Sequence, residues 1–197
     1  MARKRLTGAA RRELILEAAT SAFTTGGYDG TRVSRIAELV GVTEPVVFQN
    51  FGTKASLFAA VLERTSVADA GQFAQPGGED VLQLVGRMLS PAVHDRLHSR
   101  GGLGVLYAEA DARSEPAVRE GFQRALDRLV ESLGTTLSRG QAEGSIRDDV
   151  EPTTLAWLVL SLVRAREFRR VHTVQPAPAL EERLLAAVLD TLRPVTD

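Results

Sequence analysis

Apolar residues recur along the chain at intervals of three and four positions, which is the spacing of one face of a helix. No stretch sustains the alternation with period two that a half-buried strand requires. The pattern therefore predicts an all-α fold of about nine helices. The apolar stripes of the first, second and fourth helices comprise Leu14, Ile15, Ala18, Ala19, Ala22 and Phe23, then Val33, Ile36, Ala37 and Val40, then Leu57, Phe58, Val61 and Leu62.

Residues 31–54 contain two short amphipathic segments separated by a tight turn at Gly41-Val42. Thr31 is a predicted N-cap of the second helix, and Pro45 falls in the first turn of the third, where a missing N–H costs little. Two such helices are typical of a helix-turn-helix, in which the first helix braces the second against the DNA major groove. The alternative is three ordinary packing helices of a bundle.

The third helix divides into two faces at 100° per residue. Val47 and Phe51 share the inward face, and Gln49 points outward, where it can pair with adenine while Val46 meets a thymine methyl group. Phosphate contacts are expected around this helix from arginine, lysine and the backbone N–H groups that open the second helix. The candidate DNA-binding residues are Thr31, Arg32, Arg35, Thr43, Glu44, Pro45, Val46, Phe48, Gln49, Asn50 and Lys54.

The distribution of charge along the chain supports DNA binding more strongly than the total charge does. The net charge of the 197 residues is −1, but residues 1–65 sum to +3 and the remainder to −4, and residues 1–12 hold five cations and no acid. A basic end on an acidic body favours a nucleic-acid partner. The alternative is a solvated tail.

Composition excludes several other classes of protein. The chain has no cysteine, so disulfides and thiolate metal sites are excluded. The longest strongly apolar run, residues 155–163, is too short to cross a bilayer, so we expect a cytoplasmic protein with no membrane partner. His94 and His98 have the spacing of two helical metal ligands but lack a third. No nucleophile or phosphate-loop motif occurs, so we predict no enzyme, no metal and no cofactor.

The C-terminal part of the chain favours a homodimer. Residues 155–163 are apolar on nearly every helical face, and a helix of that kind must be buried on more than one side. The alternative is that both C-terminal helices belong to the core of a monomer. The candidate interface residues are Leu158, Leu162, Leu185, Val188 and Leu189.

The stretch from Arg12 to Leu62 keeps a set of motifs at fixed spacing across three predicted helices and two turns: Ile15-Leu16-x-Ala18-Ala19, Phe23, Gly27-Tyr28-x-x-Thr31, Val33-x-x-Ile36-Ala37, Gly41-Val42-Thr43 and Phe48-x-x-Phe51-x-x-Lys54-x-x-Leu57. With these residues the stretch resembles the DNA-binding domain of the TetR-type (tetracycline-repressor-like) bacterial regulators. Three positions depart from the usual family pattern: Phe48 replaces a tyrosine, Arg32 replaces a threonine, and Asn50 stands where histidine or tyrosine is common.

The resemblance implies a helix-turn-helix DNA-binding domain over residues 1–56 and a helical ligand-sensing and dimerisation domain over residues 57–197. The expected function is a transcriptional regulator, a repressor that binds a pseudo-palindromic operator as a dimer and is released by a small-molecule effector. The alternative is an all-helical protein–protein adaptor with a basic N-terminal tip. Candidate effector-lining residues are Met88, Tyr107, Phe122 and Trp157, each of which could equally be core.

Overall fold

The computed structural model describes residues 7–73, 79–98, 104–172 and 178–195. Over these residues the chain forms ten α-helices and no strand, so the predicted all-α fold is confirmed. The additional helix, α6, begins at Pro91, a residue suited to the first turn of a helix. The helices are α1 (Gly8–Gly30), α2 (Val33–Val40), α3 (Glu44–Phe51), α4 (Lys54–Phe73), α5 (Val81–Met88), α6 (Pro91–His98), α7 (Gly104–Asp111), α8 (Pro116–Ala142), α9 (Pro152–His172) and α10 (Pro178–Leu192).

Helix α1 is interrupted near its end, at the glycine pair Gly26-Gly27. Gly27 has φ 69° and ψ 176°, outside the helical region, so the segment that follows continues in a new direction. The change of direction brings Thr31 back against the helix. Its hydroxyl donates to the carbonyl oxygen of Gly27 at 2.7 Å, and the carbonyl oxygen of Ala22 lies 3.0 Å from the same hydroxyl. The predicted N-cap role of Thr31 is wrong, because Arg32 occupies the N-cap position of α2 and no side chain makes a capping hydrogen bond there.

The chain divides into two compact units. Unit 1 comprises Met1–Ser66 and Leu97–Ala125, and unit 2 comprises Val67–Arg96 and Leu126–Asp197. The predicted functional boundary after residue 56 stays a prediction, because compactness does not reveal which residues bind a ligand.

Unit 1 is built around three aromatic rings. Phe58 of α4 meets Phe23 and Tyr28 of α1 edge to face, with ring centroids 4.9 and 5.0 Å apart. The predicted stripes of α2 and α4 pack around these rings, and Ile36 and Leu62 are fully buried. Leu14 is an exception to the predicted stripe of α1, since 39% of it is exposed. This core fixes the orientation of α1 to α4.

Unit 2 has a separate apolar core. It is formed by α5, the second half of α8, α9 and α10, with Leu133, Leu137 and Leu192 fully buried. Arg169 of α9 and Glu181 of α10 form two hydrogen bonds of 2.8 Å. Because both side chains are largely shielded from water, this pair and the apolar core hold α9 against α10.

Candidate nucleic-acid interface

The turn between α2 and α3 has the geometry that a helix-turn-helix needs. Gly41 adopts φ 72° and ψ 37°, a left-handed conformation that glycine tolerates without strain. The N–H of Gly41 donates to Glu38 O at 3.1 Å, and the N–H of Val42 donates to Ala37 O at 3.0 Å. These bonds satisfy carbonyls at the end of α2 and redirect the chain within two residues.

Helix α3 is anchored by one face and exposed on the other. Val47 and Phe51 are buried in unit 1, whereas Pro45, Phe48 and Gln49 are exposed to solvent. The burial of α3 thus follows the predicted division into an inward and an outward face. Val46 and Asn50 are half-buried at the edges of the exposed surface, and Thr43 is exposed just before the helix begins.

Two polar residues of α3 have a clear local role. Glu44 lies in the first turn, where a negative charge is favourable because the helix dipole is positive at that end. This accounts for an acid beside a surface expected to meet phosphates. The side-chain amide of Asn50 donates to Val46 O at 2.7 Å, so this donor is already used within the helix.

The predicted phosphate-contacting residues surround α3 unequally. Arg32 is exposed, and the guanidinium of Arg35 pairs with Glu38 at 2.9 Å on an open surface, where such a pair is easily exchanged for another anion. Thr31 is buried, and its hydroxyl proton is committed to backbone carbonyls. In this arrangement Thr31 has no side-chain proton to donate to a phosphate.

Lys54 opens α4 and sits against an aromatic ring. Its ammonium lies 4.6 Å from the centroid of Tyr28. Partial burial lowers the pKa of Lys54; the negative charge of Asp29 opposes this shift, and the positive charge of Arg113 adds to it. The hydroxyl of Thr53 accepts a hydrogen bond of 3.0 Å from Ser56 N and so caps the same helix turn. Lys54 is therefore held at the start of α4.

A charged cluster lies beside Lys54. Arg113 donates to both carboxylate oxygens of Asp29, at 3.0 and 2.5 Å, and its guanidinium lies 4.3 Å from the Tyr28 ring centroid. The hydrogen bond from Arg113 holds the pKa of Asp29 below its usual value. Burial raises the pKa of Tyr28, and the negative charge of Glu115 adds to that rise. The segment between α7 and α8 is thereby fixed to the end of α1.

One contact to α3 was not predicted from the sequence. Arg12 of α1 donates from Nη1 to the carbonyl of Asn50 at 2.6 Å, and its guanidinium lies 4.1 Å from the centroid of the Phe51 ring. The two partners are 38 and 39 positions away along the chain, so no local pattern reveals the contact. The only sequence signal was the cationic character of the N-terminus.

The predicted effector-lining residues are divided between the two units. Tyr107 and Phe122 pack against the core of unit 1 with ring centroids 6.4 Å apart. Met88 packs against the core of unit 2, and Trp157, also in unit 2, is 43% exposed. A groove of about 460 Å³ in unit 2 is lined by none of these four. Its lining residues are Val67, Arg128, Glu131, Ser132, Thr135, Thr136 and Arg139.

The predicted dimer residues lie on α9 and α10 of unit 2, and each is at least partly exposed. Leu158 is 37% exposed, next to the exposed Trp157. Leu162 of α9 and the three residues of α10, Leu185, Val188 and Leu189, are partly buried against the unit 2 core. These residues therefore contribute to the monomer core while leaving apolar area in contact with water.

Neither a metal cluster nor a bilayer-spanning helix occurs in the described part of the chain. No group of three or more candidate ligands among His, Asp and Glu is assembled there. The described helices are also too short or too polar to cross a membrane. The side chains of His94 and His98 lie outside the described residues.

Two short helices joined by a glycine turn, with a buried inner face and an exposed outer face on the second helix, define a helix-turn-helix DNA-binding protein. The comparisons with known proteins agree. The sequence model described as "Bacterial regulatory proteins, tetR family" matches residues 15–61, and the one described as "Transcriptional regulator SbtR-like, C-terminal domain" matches residues 95–194. The chain belongs to the TetR family of bacterial transcriptional regulators, so the predicted family and the predicted function as a DNA-binding regulator are confirmed.

Similar proteins support the same assignment over most of the chain. The transcriptional repressor AcnR of Corynebacterium diphtheriae is 32% identical over 71% of this chain and 70% of its own length. AcnR of Corynebacterium jeikeium is 30% identical over 88% of this chain and 89% of its own. The crystal structure of reduced Escherichia coli NemR, 18% identical, superposes with a TM-score of 0.73 over 95% of this chain and 99% of that one, which shows the shared fold.

Proposed function

We propose that the protein is a transcriptional repressor that binds a pseudo-palindromic operator as a homodimer and leaves it when a small molecule binds. The observation that carries the proposal is the exposed face of α3. Gln49 stands on that face while Val47 and Phe51 hold the opposite face in the core of unit 1. A short helix presented in this way fits the width of the major groove, where a glutamine amide can pair with adenine N6 and N7.

The exposed face of α3 is apolar and amide-bearing rather than cationic. Residues 39–53 contain no lysine or arginine, so the cations nearest to α3 along the chain are Arg32 and Arg35 before it and Lys54 after it. Cations around a neutral reading surface separate the two roles: the periphery supplies affinity that depends on salt, and α3 supplies discrimination between base pairs.

Dimerisation is supported by the apolar surface of α9 and α10. Trp157 and Leu158 are exposed on a helix whose other faces are already buried. A second copy that covers this surface around a two-fold axis presents two α3 helices to one duplex. Their half-sites are then separated by about one DNA turn or a multiple of it, which requires a pseudo-palindrome.

The groove in unit 2 is our candidate for the effector site. Its volume of about 460 Å³ lies within the usual range of small-molecule pockets. Its wall carries Arg128, Arg139 and the acid Glu131, and the hydroxyls of Thr135 and Thr136 donate to carbonyls of their own helix. An effector that releases DNA must bind the DNA-incompetent conformation more tightly than the competent one. Thr135 lies on the exposed rim of this groove. For a ligand found by thermal-shift screening, we expect Thr135→Trp to abolish the release of DNA that the ligand causes in the wild type. A response equal to that of the wild type would relocate the site.

The DNA-binding proposal is tested with a duplex that the wild-type protein selects from a randomised pool. Fluorescence anisotropy then compares this duplex with a scrambled one over a series of salt concentrations. Gln49→Ala should weaken binding to the selected duplex by about 1–3 kcal/mol and leave the scrambled duplex nearly unchanged. Lys54→Ala should weaken binding to both duplexes alike. It should also reduce the salt slope, the slope of log affinity against log salt concentration, by about one.

Gln83→Ala provides the matched control, because Gln83 is an exposed helical glutamine in unit 2. Its affinity for both duplexes should equal that of the wild type. Failure of the wild type to select any duplex, or equal losses for Gln49→Ala on both duplexes, would overturn the proposal that α3 reads the base sequence.

A further inference from the structure

Arg12 holds the C-terminal end of α3 from a different helix. Its Nη1 donates to the carbonyl oxygen of Asn50 at 2.6 Å, and its guanidinium carbon lies 4.1 Å from the centroid of the Phe51 ring. Both partners lie in the last turn of α3, and Arg12 lies in the first turns of α1. Arg12 itself is exposed, so this contact is made at the surface of unit 1 rather than in its core.

The chemistry of this contact suits the end of a helix. The last four carbonyls of an α-helix lack partners within the helix, and the helix dipole makes this end negative. A guanidinium is planar, so it can donate to the Asn50 carbonyl with its edge while its face covers the Phe51 ring. Lysine has the same charge but no planar face and therefore cannot make both contacts in the same geometry.

We propose that Arg12 is a positioning residue that fixes the orientation of α3 and thereby its discrimination between DNA sequences. This inference rests on the proposed reading of DNA by α3. Val47 and Phe51 anchor the inner face, and because they are one helical turn apart, these two anchors lie along the helix axis and leave its roll about that axis to other contacts. Arg12 supplies a third, polar point of attachment at the C-terminal end. Gln49 lies one residue before Asn50, so its direction depends on how this end is held.

The competing role for an exposed arginine near DNA is a phosphate contact. The two roles differ in three measurable respects: the preference for the selected duplex over the scrambled one, the salt slope, and rescue by lysine. A phosphate contact tolerates lysine, adds about one to the salt slope and acts on every sequence alike. A positioning contact does not tolerate lysine, and its loss lowers binding to the selected duplex.

The test uses the full-length variants Arg12→Lys and Arg12→Gln, with Arg11→Lys and Arg11→Gln as matched controls at the neighbouring position of α1. Each variant is titrated by anisotropy against the selected and scrambled duplexes at several salt concentrations. Far-UV circular dichroism and the melting temperature establish that each variant is folded. Phe51→Leu is added as a second route to the same contact, because it keeps an apolar side chain but removes the ring under the guanidinium.

We expect both Arg12 variants to reduce the preference for the selected duplex about tenfold, the size of effect lost with one good base contact. Arg12→Lys should keep the salt slope of the wild type, and both Arg11 variants should keep its preference. Phe51→Leu should lower the preference in the same direction.

Two results would overturn the inference. In the first, Arg12→Lys keeps the wild-type preference for the selected duplex, while Arg12→Gln loses affinity equally for both duplexes and has a reduced salt slope. This combination would identify a phosphate contact instead. Wild-type behaviour of both Arg12 variants would show that the contact has no role in binding. If the wild type prefers no duplex, both the proposed reading of DNA by α3 and this inference fail. If the wild type and Arg12→Lys prefer the selected duplex to the same degree, only this inference fails.

Discussion

Gly121 lies inside α8 at a point where α4 passes too close for any side chain. A Cβ atom placed on Gly121 would stand 2.5 Å from the Cβ of Ala59 and 2.8 Å from its Cα. Carbon atoms in ordinary contact are about 3.5–4.0 Å apart, so Gly121→Ala must push the two helices apart by about 1 Å. Since the obstructing atoms belong to the backbone and Cβ of Ala59, no side-chain rotation relieves the contact. Overpacking of this kind costs about 1–3 kcal/mol.

Gly134 supplies the control for this prediction, because it lies in the same helix with room beside it. A Cβ at Gly134 would have its nearest neighbour, Thr153 Oγ1, at 3.8 Å, which is an ordinary contact. Replacing a helical glycine with alanine gains about 1 kcal/mol from helix propensity at either position. The gain is common to both variants. The difference between their free energies of unfolding therefore gives the steric cost at Gly121, about 1–3 kcal/mol.

The assay is thermal unfolding of both variants and the wild type at one protein concentration, since any oligomer makes the midpoint concentration-dependent. For a chain of this size each kcal/mol corresponds to about 2–4 °C in Tm. We expect Gly134→Ala to melt at or above the wild-type temperature and Gly121→Ala to melt clearly below Gly134→Ala. Equal midpoints for the two variants would refute the close approach of α8 to Ala59.

Three further predictions address the cluster beside Lys54, the proposed dimer and the helix-turn-helix turn. Arg113 lowers the pKa of Asp29, so the stabilisation from Asp29 is complete above its unfolded-state pKa of about 3.9 and is lost as the pH falls through the folded-state pKa. The difference in Tm between the wild type and Asp29→Asn should therefore be constant at neutral pH and shrink in acid; a difference independent of pH would contradict this. Replacing the exposed Trp157 and Leu158 together with glutamate should convert a dimer to a monomer in sedimentation velocity, and a persistent dimer would place the interface elsewhere. Gly41→Ala places a side chain at φ 72° and should cost about 1–2 kcal/mol in urea unfolding, so an unchanged midpoint would argue against the left-handed turn.

The helix-turn-helix was predictable because its determinants are local. The spacing of Val33, Ile36 and Ala37 defines one buried face, Gly41 permits the turn, and Val47 and Phe51 are separated by one helical turn. Each of these is a relation between residues a few positions apart, and the structure buries or exposes them accordingly. Local patterns of this kind carry most of the information about this part of the fold.

Other features depended on contacts that the sequence does not encode locally. The side chain of Thr31 suits an N-cap, but the break at Gly27 turns it towards the carbonyl of Ala22, nine residues earlier. The contact of Arg12 with α3 spans 38 positions. Aromatic residues such as Tyr107 and Phe122 were ambiguous because a core and a ligand pocket recruit the same side chains. Long-range packing decided the positions of Thr31 and Arg12, whereas a ligand contact of Tyr107 or Phe122 stays a prediction.

Hydroxyl-radical footprinting of the wild-type protein on its selected duplex shows whether a dimer reads two half-sites. We expect two protected patches related by two-fold symmetry and centred about one helical turn, or a multiple of it, apart, because each subunit inserts one α3 helix into the major groove. Both patches should disappear together when Trp157 and Leu158 are replaced with glutamate. A single patch, or uniform weak protection along the duplex, would show that the protein does not bind DNA as a two-fold dimer through α3.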